Sequence, residues 1–188
     1  FFWGSSPDRG LLNILEMWPA VRREWPDATL YVYYGWEGLK KLAAINPTVG
    51  PMFRRMWARW LELKKQPGVV DVGRVNHERI AREMLASDVF WYPGSFEETG
   101  CSSASKAMAA GCVPVVHPIA ALPETASDGV FYSARREDEG WEEYTARGLE
   151  ALKQAFDYSD KQRATMREKA LEKYSIGVAV KQWEEWLK

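Results

Sequence analysis

Two short apolar segments, residues 88–92 and 113–116, flank a stretch of the chain that is rich in small side chains. Pro93 and Gly94 close the first segment, and about twenty residues separate the two, which suffices for a helical crossover between parallel strands. Eight positions of the intervening stretch carry little bulk: Ser102, Ser103, Ala104, Ser105, Ala107, Ala109, Ala110 and Gly111. A helix of such residues lies close to a sheet, so the stretch predicts a parallel α/β architecture.

The start of this predicted helix is a candidate anion site. The first turn of a helix has free N–H groups, and here it follows the carboxyl end of a strand, where ligands bind in open α/β sheets. Glu97 and Glu98 precede the helix. Because carboxylates are poor partners for phosphate, these two side chains are expected to accept hydrogen bonds from sugar hydroxyls.

The same stretch resembles the nucleotide-sugar signature of retaining glycosyltransferases with the GT-B fold. In that signature a glutamate, seven residues and a second glutamate precede the sequence Ala-Met-Ala-x-Gly-x-Pro-Val. FEET at 96–99 and AMAAGCVPV at 107–115 match its two halves, which makes Glu98 the first glutamate. Lys106 takes the place of the second, and its ammonium group cannot accept hydrogen bonds from ribose hydroxyls. The resemblance implies the donor-binding domain of a hexosyltransferase of the glycosyl transferases group 1 type.

The resemblance also assigns roles upstream of this stretch. Arg9 and Gly10 stand where the family has a Lys-Gly pair whose cation binds the donor diphosphate. From the residues alone, Arg9 is either a surface residue at a helix start, where the helix dipole disfavours a cation, or the partner of an anionic ligand. Arg74 follows the third predicted strand, in the loop that lines the base pocket of the family, and it either contacts the donor or lies on the surface.

The resemblance thus implies Glu98 and Arg9 as catalytic residues and a nucleoside diphosphate sugar as co-substrate, with no metal and no further cofactor. The implied donor-binding residues are Ser6, Arg9, Gly10, Arg74, Glu97, Glu98, Thr99, Gly100, Cys101, Ser102 and Lys106.

Six predicted strands alternate with helices over residues 1–135, and helices fill residues 136–188. Read in sequence, they predict one Rossmann-like, doubly wound parallel sheet of order 3-2-1-4-5-6 with a helical extension. Its switch point lies between the first and fourth strands, which are followed by Arg9 and Glu98, so topology brings these residues together. This single domain, 1–188, is expected to be one half of a GT-B enzyme, with the amino-terminal acceptor-binding half supplied by a further segment or another chain.

Composition argues against several other classes of protein. The chain has 25 basic and 26 acidic residues among 188 and no basic tail, which gives little support to nucleic-acid binding. Cys101 and Cys112 lack a metal-like spacing and favour a reduced cytoplasmic setting. No apolar run approaches the ~18 residues of a membrane span. His117 follows the fifth strand as either a satisfied loop residue or a catalytic base.

For two predicted helices, the sequence does not decide which surface each packs against. In residues 53–65, apolar side chains recur at helical spacing among arginines and lysines. This face either covers the sheet or rests weakly on anionic lipid, as a peripheral contact at the inner membrane face. The last helix, with Trp183 and Trp186, either packs on this sheet or reaches towards the acceptor half.

Two other functions stay open at this point. The first is a transferase-like binding or scaffold module that has lost catalysis, to which the lysine at position 106 points. The second is half of a nucleotide-sugar epimerase, which shares the architecture but lacks the FEET register.

Overall fold

The computed structural model describes residues 1–132 and 136–188. Its strands form one parallel sheet in the order β3-β2-β1-β4-β5-β6, which confirms the predicted topology. The strands are β1 Phe2–Trp3, β2 Leu30–Tyr33, β3 Val69–Gly73, β4 Val89–Tyr92, β5 Val113–Val116 and β6 Val130–Phe131.

Helices cover both faces of the sheet, after a short 3₁₀ turn at Pro7–Arg9. They are α1 Leu11–Glu24, α2 Glu37–Ile45, α3 Val49–Leu63, α4 His77–Leu85, α5 Ser102–Ala110, α6 Leu122–Thr125, α7 Arg136–Phe156, α8 Asp160–Tyr174 and α9 Ile176–Trp186. Helix α4 connects β3 to β4 across two intervening strands, and it packs against α5. None of the described helices is both long and apolar enough to cross a membrane.

The centre of the sheet is built from aromatic residues. Strands β1 and β4 are fully buried, as expected for the inner strands of a parallel sheet. Trp3 stacks on Tyr92 with ring centroids 5.6 Å apart, and Phe2 stacks on Tyr33 at 4.9 Å. These flat, rigid contacts fix the ends of β1 and β4, from which the two central loops start.

The apolar face of α3 is packed inward. Trp60 is completely buried, and Trp36, just before α2, contacts the rings of Phe53 and Trp57. Most of this face therefore packs against the protein, through α1 and α2, although Trp57 is 37% exposed and Leu61 is 40% exposed.

Helix α9 differs, because its tryptophans do not pack on the described sheet. Trp183 is 65% exposed and Trp186 is 87% exposed. Of the two alternatives for this helix, packing on this domain's own sheet is therefore the one that the structure does not support.

Candidate functional site

The two central loops, which leave β1 and β4, touch through their backbones. A Cβ atom placed on Gly94 would lie 2.0 Å from the carbonyl oxygen of Arg9, and one placed on Gly10 would lie 2.8 Å from the Gly94 nitrogen. Gly10 also has a φ of 114°, which favours glycine. Because larger residues would force the loops apart, glycine at both positions brings Arg9 beside residues 93–99.

Arg9 is held at this crevice with one nitrogen unsatisfied. Its Cζ atom lies 3.0 Å from the ring centroid of Phe96, a cation–π contact. The nearest carboxylate is that of Asp8, with 3.8 Å between Arg9 Nε and Asp8 Oδ2. Nη1 is buried and has no hydrogen-bond partner in the part of the chain that the structure describes. An unsatisfied buried donor of this kind costs about 1–3 kcal/mol, so Nη1 of Arg9, whose side chain is 25% exposed, is suited to an anionic ligand.

The side chain of Glu98 is oriented by a hydrogen bond from a tyrosine. Tyr92 Oη donates a hydrogen bond of 2.5 Å to Glu98 Oε1, and the Glu98 carbonyl accepts one of 3.0 Å from the Ala121 nitrogen. Burial, and then the Glu98 carboxylate, raise the pKa of Tyr92, which therefore stays a neutral donor. One carboxylate oxygen is thus occupied, and within the described residues no donor reaches the other, which leaves Oε2 for a ligand hydroxyl.

The start of α5 adds backbone donors to the same crevice. Ser103 Oγ donates to the Gly4 carbonyl at 3.3 Å, which ties the first turn of α5 to the end of β1. Cys101 is the buried N-cap, and burial raises the pKa of its thiol, so the group stays neutral. Within the described residues, the N–H groups of Gly100, Cys101 and Ser102 have no acceptor. They are available to an anion.

The other implied residues divide into two groups. Ser6, which donates to the Asp8 carboxylate, lies in the Arg9 loop, and Glu97 and Thr99 are exposed in the Glu98 loop. Arg74 and Lys106 lie to one side. Arg74 follows β3, two strands and about 10 Å from β1, and is exposed.

Lys106 is exposed and lines a groove of about 520 Å³ between α4 and α5. Its neighbours in this groove include His77 and Ile80 of α4 and Arg167 of α8. The structure does not bring Lys106 into contact with the loops that carry Arg9 and Glu98.

His117 belongs to the support of the site. It is 8% exposed, and its ring lies 4.7 Å from the ring of Tyr132 and 6.1 Å from that of Tyr144. Tyr144 in turn donates to the Pro93 carbonyl at 2.6 Å, as Asn13 does at 3.2 Å. This packing agrees with a satisfied loop residue and leaves no open face for a catalytic base.

Two residues of the site, Tyr92 and Phe96, were not predicted, although each contacts one of the two charged candidates. The available signals were weak: a hydroxyl-bearing residue at the end of a buried strand, and an aromatic residue in a polar loop. Within the described residues, no cluster of three or more His, Cys, Asp or Glu side chains is placed to hold a metal ion.

The sequence matches the family described as "Glycosyl transferases group 1" over residues 6–173. This chain belongs to that family. No curated protein matches the sequence. The match includes both central loops and all of the implied donor-binding residues of this group 1 glycosyltransferase.

Solved structures share the fold. A glycosyltransferase from Rickettsia africae superposes with a TM-score of 0.71 at 13% identity, over 98% of this chain and 45% of its own. HepE from Anabaena, in complex with UDP and glucose, superposes with a TM-score of 0.66 at 14% identity, over 99% of this chain and 46% of its own. The pneumococcal O-GlcNAc transferase GtfA, in complex with UDP and GlcNAc, superposes with a TM-score of 0.64 at 12% identity, over 98% of this chain and 34% of its own. The chain therefore has the fold of a carboxyl-terminal GT-B domain and spans less than half the length of each of these proteins.

Proposed function

We propose that this chain is the donor-binding half of a glycosyltransferase, which transfers a sugar from a nucleoside diphosphate sugar to an acceptor with retention of configuration. The observation that carries the proposal is the buried, unpartnered Nη1 of Arg9, which lies in the same crevice as the unpaired N–H groups at the start of α5. Family membership supports the same reaction. The acceptor would be bound by the other half of the enzyme.

Arg9 and α5 would bind the diphosphate. Negative charge builds up on the leaving diphosphate as the glycosidic bond breaks, and fixed donors in a cleft stabilise that charge by several kcal/mol. The guanidinium of Arg9 and the N–H groups of Gly100, Cys101 and Ser102 supply this stabilisation together. Because they already provide positive potential, the proposed reaction needs no metal ion.

Glu98 would orient the sugar. With Oε1 held by Tyr92, its second oxygen is directed by a fixed partner and accepts a hydrogen bond from a sugar hydroxyl. Glu98 does not act as a nucleophile in this proposal. The retaining outcome is inferred from the resemblance of residues 96–115 to the retaining signature. The two buried, unpaired cysteines support a reduced, cytoplasmic setting.

A second candidate function is a binding module without catalysis. It is favoured by Lys106, which cannot accept hydrogen bonds from a ribose and lies in the α4–α5 groove. Such a module would retain little or no affinity for nucleoside diphosphates.

The two functions are separated by calorimetry on the Arg9→Ala variant, with UDP, GDP, ADP and dTDP and the matching nucleosides. Loss of a hydrogen bond to a charged group costs about 1.5–3 kcal/mol, so we expect diphosphate affinity to fall about 10- to 100-fold while nucleoside affinity is unchanged. Arg23→Ala, which removes an exposed arginine of α1, is the control. Equal weakening of diphosphate and nucleoside would remove Arg9 from the phosphate site. Absence of all binding by the folded wild-type chain would favour the module.

A further inference from the structure

The charge of this chain is distributed unevenly. Residues 36–66, which contain α2 and α3, carry seven basic and two acidic side chains, a net charge of +5. The whole chain carries −1, which leaves −6 for the remainder. We call residues 36–66 the basic hairpin. A charge contrast of this size within one chain creates a local positive field that the net charge conceals.

The basic hairpin is antiparallel and has a defined tip. Trp36, at the start of α2, contacts Trp57 and Trp60 near the far end of α3, with ring centroids 5.3 and 5.7 Å apart. The turn at 46–48 is therefore the tip. Asn46 Oδ1 accepts a hydrogen bond of 2.9 Å from the Thr48 nitrogen, so the turn is held by its own side chain.

The tip exposes aliphatic side chains to solvent. Ile45, the last residue of α2, is 81% exposed, and Leu42 on the preceding turn is 45% exposed. Transfer of a nearly fully exposed isoleucine from water into an apolar phase is favourable, by about 1.5–3 kcal/mol for complete burial.

Three exposed cations lie close behind this apolar tip. At 1.5 Å per residue, Lys41 on α2 and Arg54 and Arg55 on α3 lie about 6–9 Å behind it. All three are exposed, and none forms an ion pair within the described residues. Of the cations further from the tip, Arg59 pairs with Glu16 and Glu62 and Lys64 pairs with Asp71, whereas Lys65 forms no ion pair within the described residues. Within the described residues, four of the five unpaired cations of the basic hairpin, Lys40, Lys41, Arg54 and Arg55, therefore lie nearer to Ile45 than to the far end of α3.

We propose that the tip of the basic hairpin docks on an anionic lipid surface, with Leu42 and Ile45 in the interface and Lys41, Arg54 and Arg55 on lipid phosphates. Interfacial segments bury their apolar residues to about 5–10 Å, which matches the spacing between the tip and its cations. A nucleic acid or an acidic protein would pair with the cations but gives no reason for an aliphatic tip. Helix α9 has exposed apolar residues too, but residues 176–188 contain two lysines and two glutamates and so lack a cation excess.

The test is co-sedimentation of the chain with phosphatidylcholine vesicles, with and without phosphatidylglycerol. We expect binding only to the anionic vesicles. The Lys41→Ala/Arg55→Ala variant should bind them about 30-fold more weakly, because each cation near an anionic surface contributes about 1 kcal/mol. Ile45→Ser should bind about tenfold more weakly.

Two matched variants serve as controls. Lys161→Ala/Arg167→Ala removes two exposed cations from α8, and Ile176→Ser removes an isoleucine that is also 81% exposed, from α9. Both should bind like the wild-type chain. Equal binding to neutral and anionic vesicles, no binding to either, or a loss of binding in the α8 or α9 variants that equals the loss in the hairpin variants would overturn the proposal.

A spectroscopic measurement then locates the tip directly. Both native cysteines are buried, so a polarity-sensitive dye can be attached selectively to Ile45→Cys. Its emission should shift to the blue on anionic vesicles, whereas the same dye on Ile176→Cys should not shift. An unshifted dye at position 45 on vesicles that bind the chain would show that another surface makes the contact.

Discussion

Replacing Tyr92 by phenylalanine separates the sugar-binding part of the proposed site from its phosphate-binding part. The substitution keeps the ring that stacks on Trp3 and removes only the hydroxyl group that donates to Glu98 at 2.5 Å. The Glu98 carboxylate then loses the partner that fixes its orientation. Arg9 and the start of α5 keep their contacts.

The expected magnitudes follow from that one hydrogen bond. Glu98 is half-buried, so water partly replaces the lost donor, and we expect the free energy of unfolding to fall by about 1 kcal/mol. For a chain of this size the melting temperature falls by about 2–4 °C. The affinity for the nucleotide sugar should fall about tenfold, which corresponds to about 1.4 kcal/mol. The affinity for the matching nucleoside diphosphate should not change.

The matched control is Tyr33→Phe. Tyr33 is also buried, and burial, with the nearby Glu83 carboxylate on α4, raises the pKa of its hydroxyl group, which lies away from the two central loops. We expect a similar loss of stability and no change in the affinity for the nucleotide sugar, with affinities measured by calorimetry and stability by thermal unfolding. An unchanged affinity of Tyr92→Phe for the nucleotide sugar, or an equal fall in its affinity for the nucleoside diphosphate, would refute the proposed role of Glu98.

Further predictions concern the crevice and the core. Gly94→Ala places a Cβ atom 2.0 Å from the Arg9 carbonyl oxygen, so calorimetry should show at least tenfold weaker diphosphate binding, on the order of 1–3 kcal/mol; unchanged binding would contradict the backbone contact. Phe96→Leu should lower the affinity for the diphosphate by about two- to fivefold, because the cation–π contact with Arg9 is lost. Lys106→Glu should raise nucleoside affinity about tenfold by restoring a ribose acceptor, and a fall would show that the lysine contributes to donor binding. Burial raises the pKa of Cys112 from 9.0 to about 12. The contribution of this neutral thiol to the free energy of unfolding is therefore fully present below pH 9.0 and declines as the pH rises towards 12. Unfolding curves at increasing pH test this, and a flat profile above pH 9.0 would contradict it.

The topology was predictable because parallel strands restrict it strongly. Short apolar segments separated by helical lengths require crossovers, and the doubly wound order then places the loops after the first and fourth strands at one crevice. That argument needs only the positions of Arg9 and Glu98 in the chain. Helix α2 is hard to predict, because Gly35 and Gly38 flank its start and only Leu39 is buried, which gives a weak periodic signal.

The contacts that define the candidate site depend on details that a sequence does not express. The pairing of Tyr92 with Glu98 depends on where the loop after β4 turns, and the stacking of Phe96 on Arg9 depends on two glycines that let the loops touch. Which face of α3 packs against the protein depends on Trp36, whose ring contacts the aromatic side chains Phe53 and Trp57 of that helix. Tertiary packing, and not local pattern, decides each of these.

The most direct test of the central claim is calorimetric titration of the wild-type chain with UDP, GDP, ADP and dTDP and with the four matching nucleosides. We expect that one diphosphate binds at least about tenfold more tightly than its nucleoside, because in the proposed site Arg9 and the start of α5 contact only the phosphates. A folded chain that binds none of the diphosphates, or that binds each no better than its nucleoside, would contradict it.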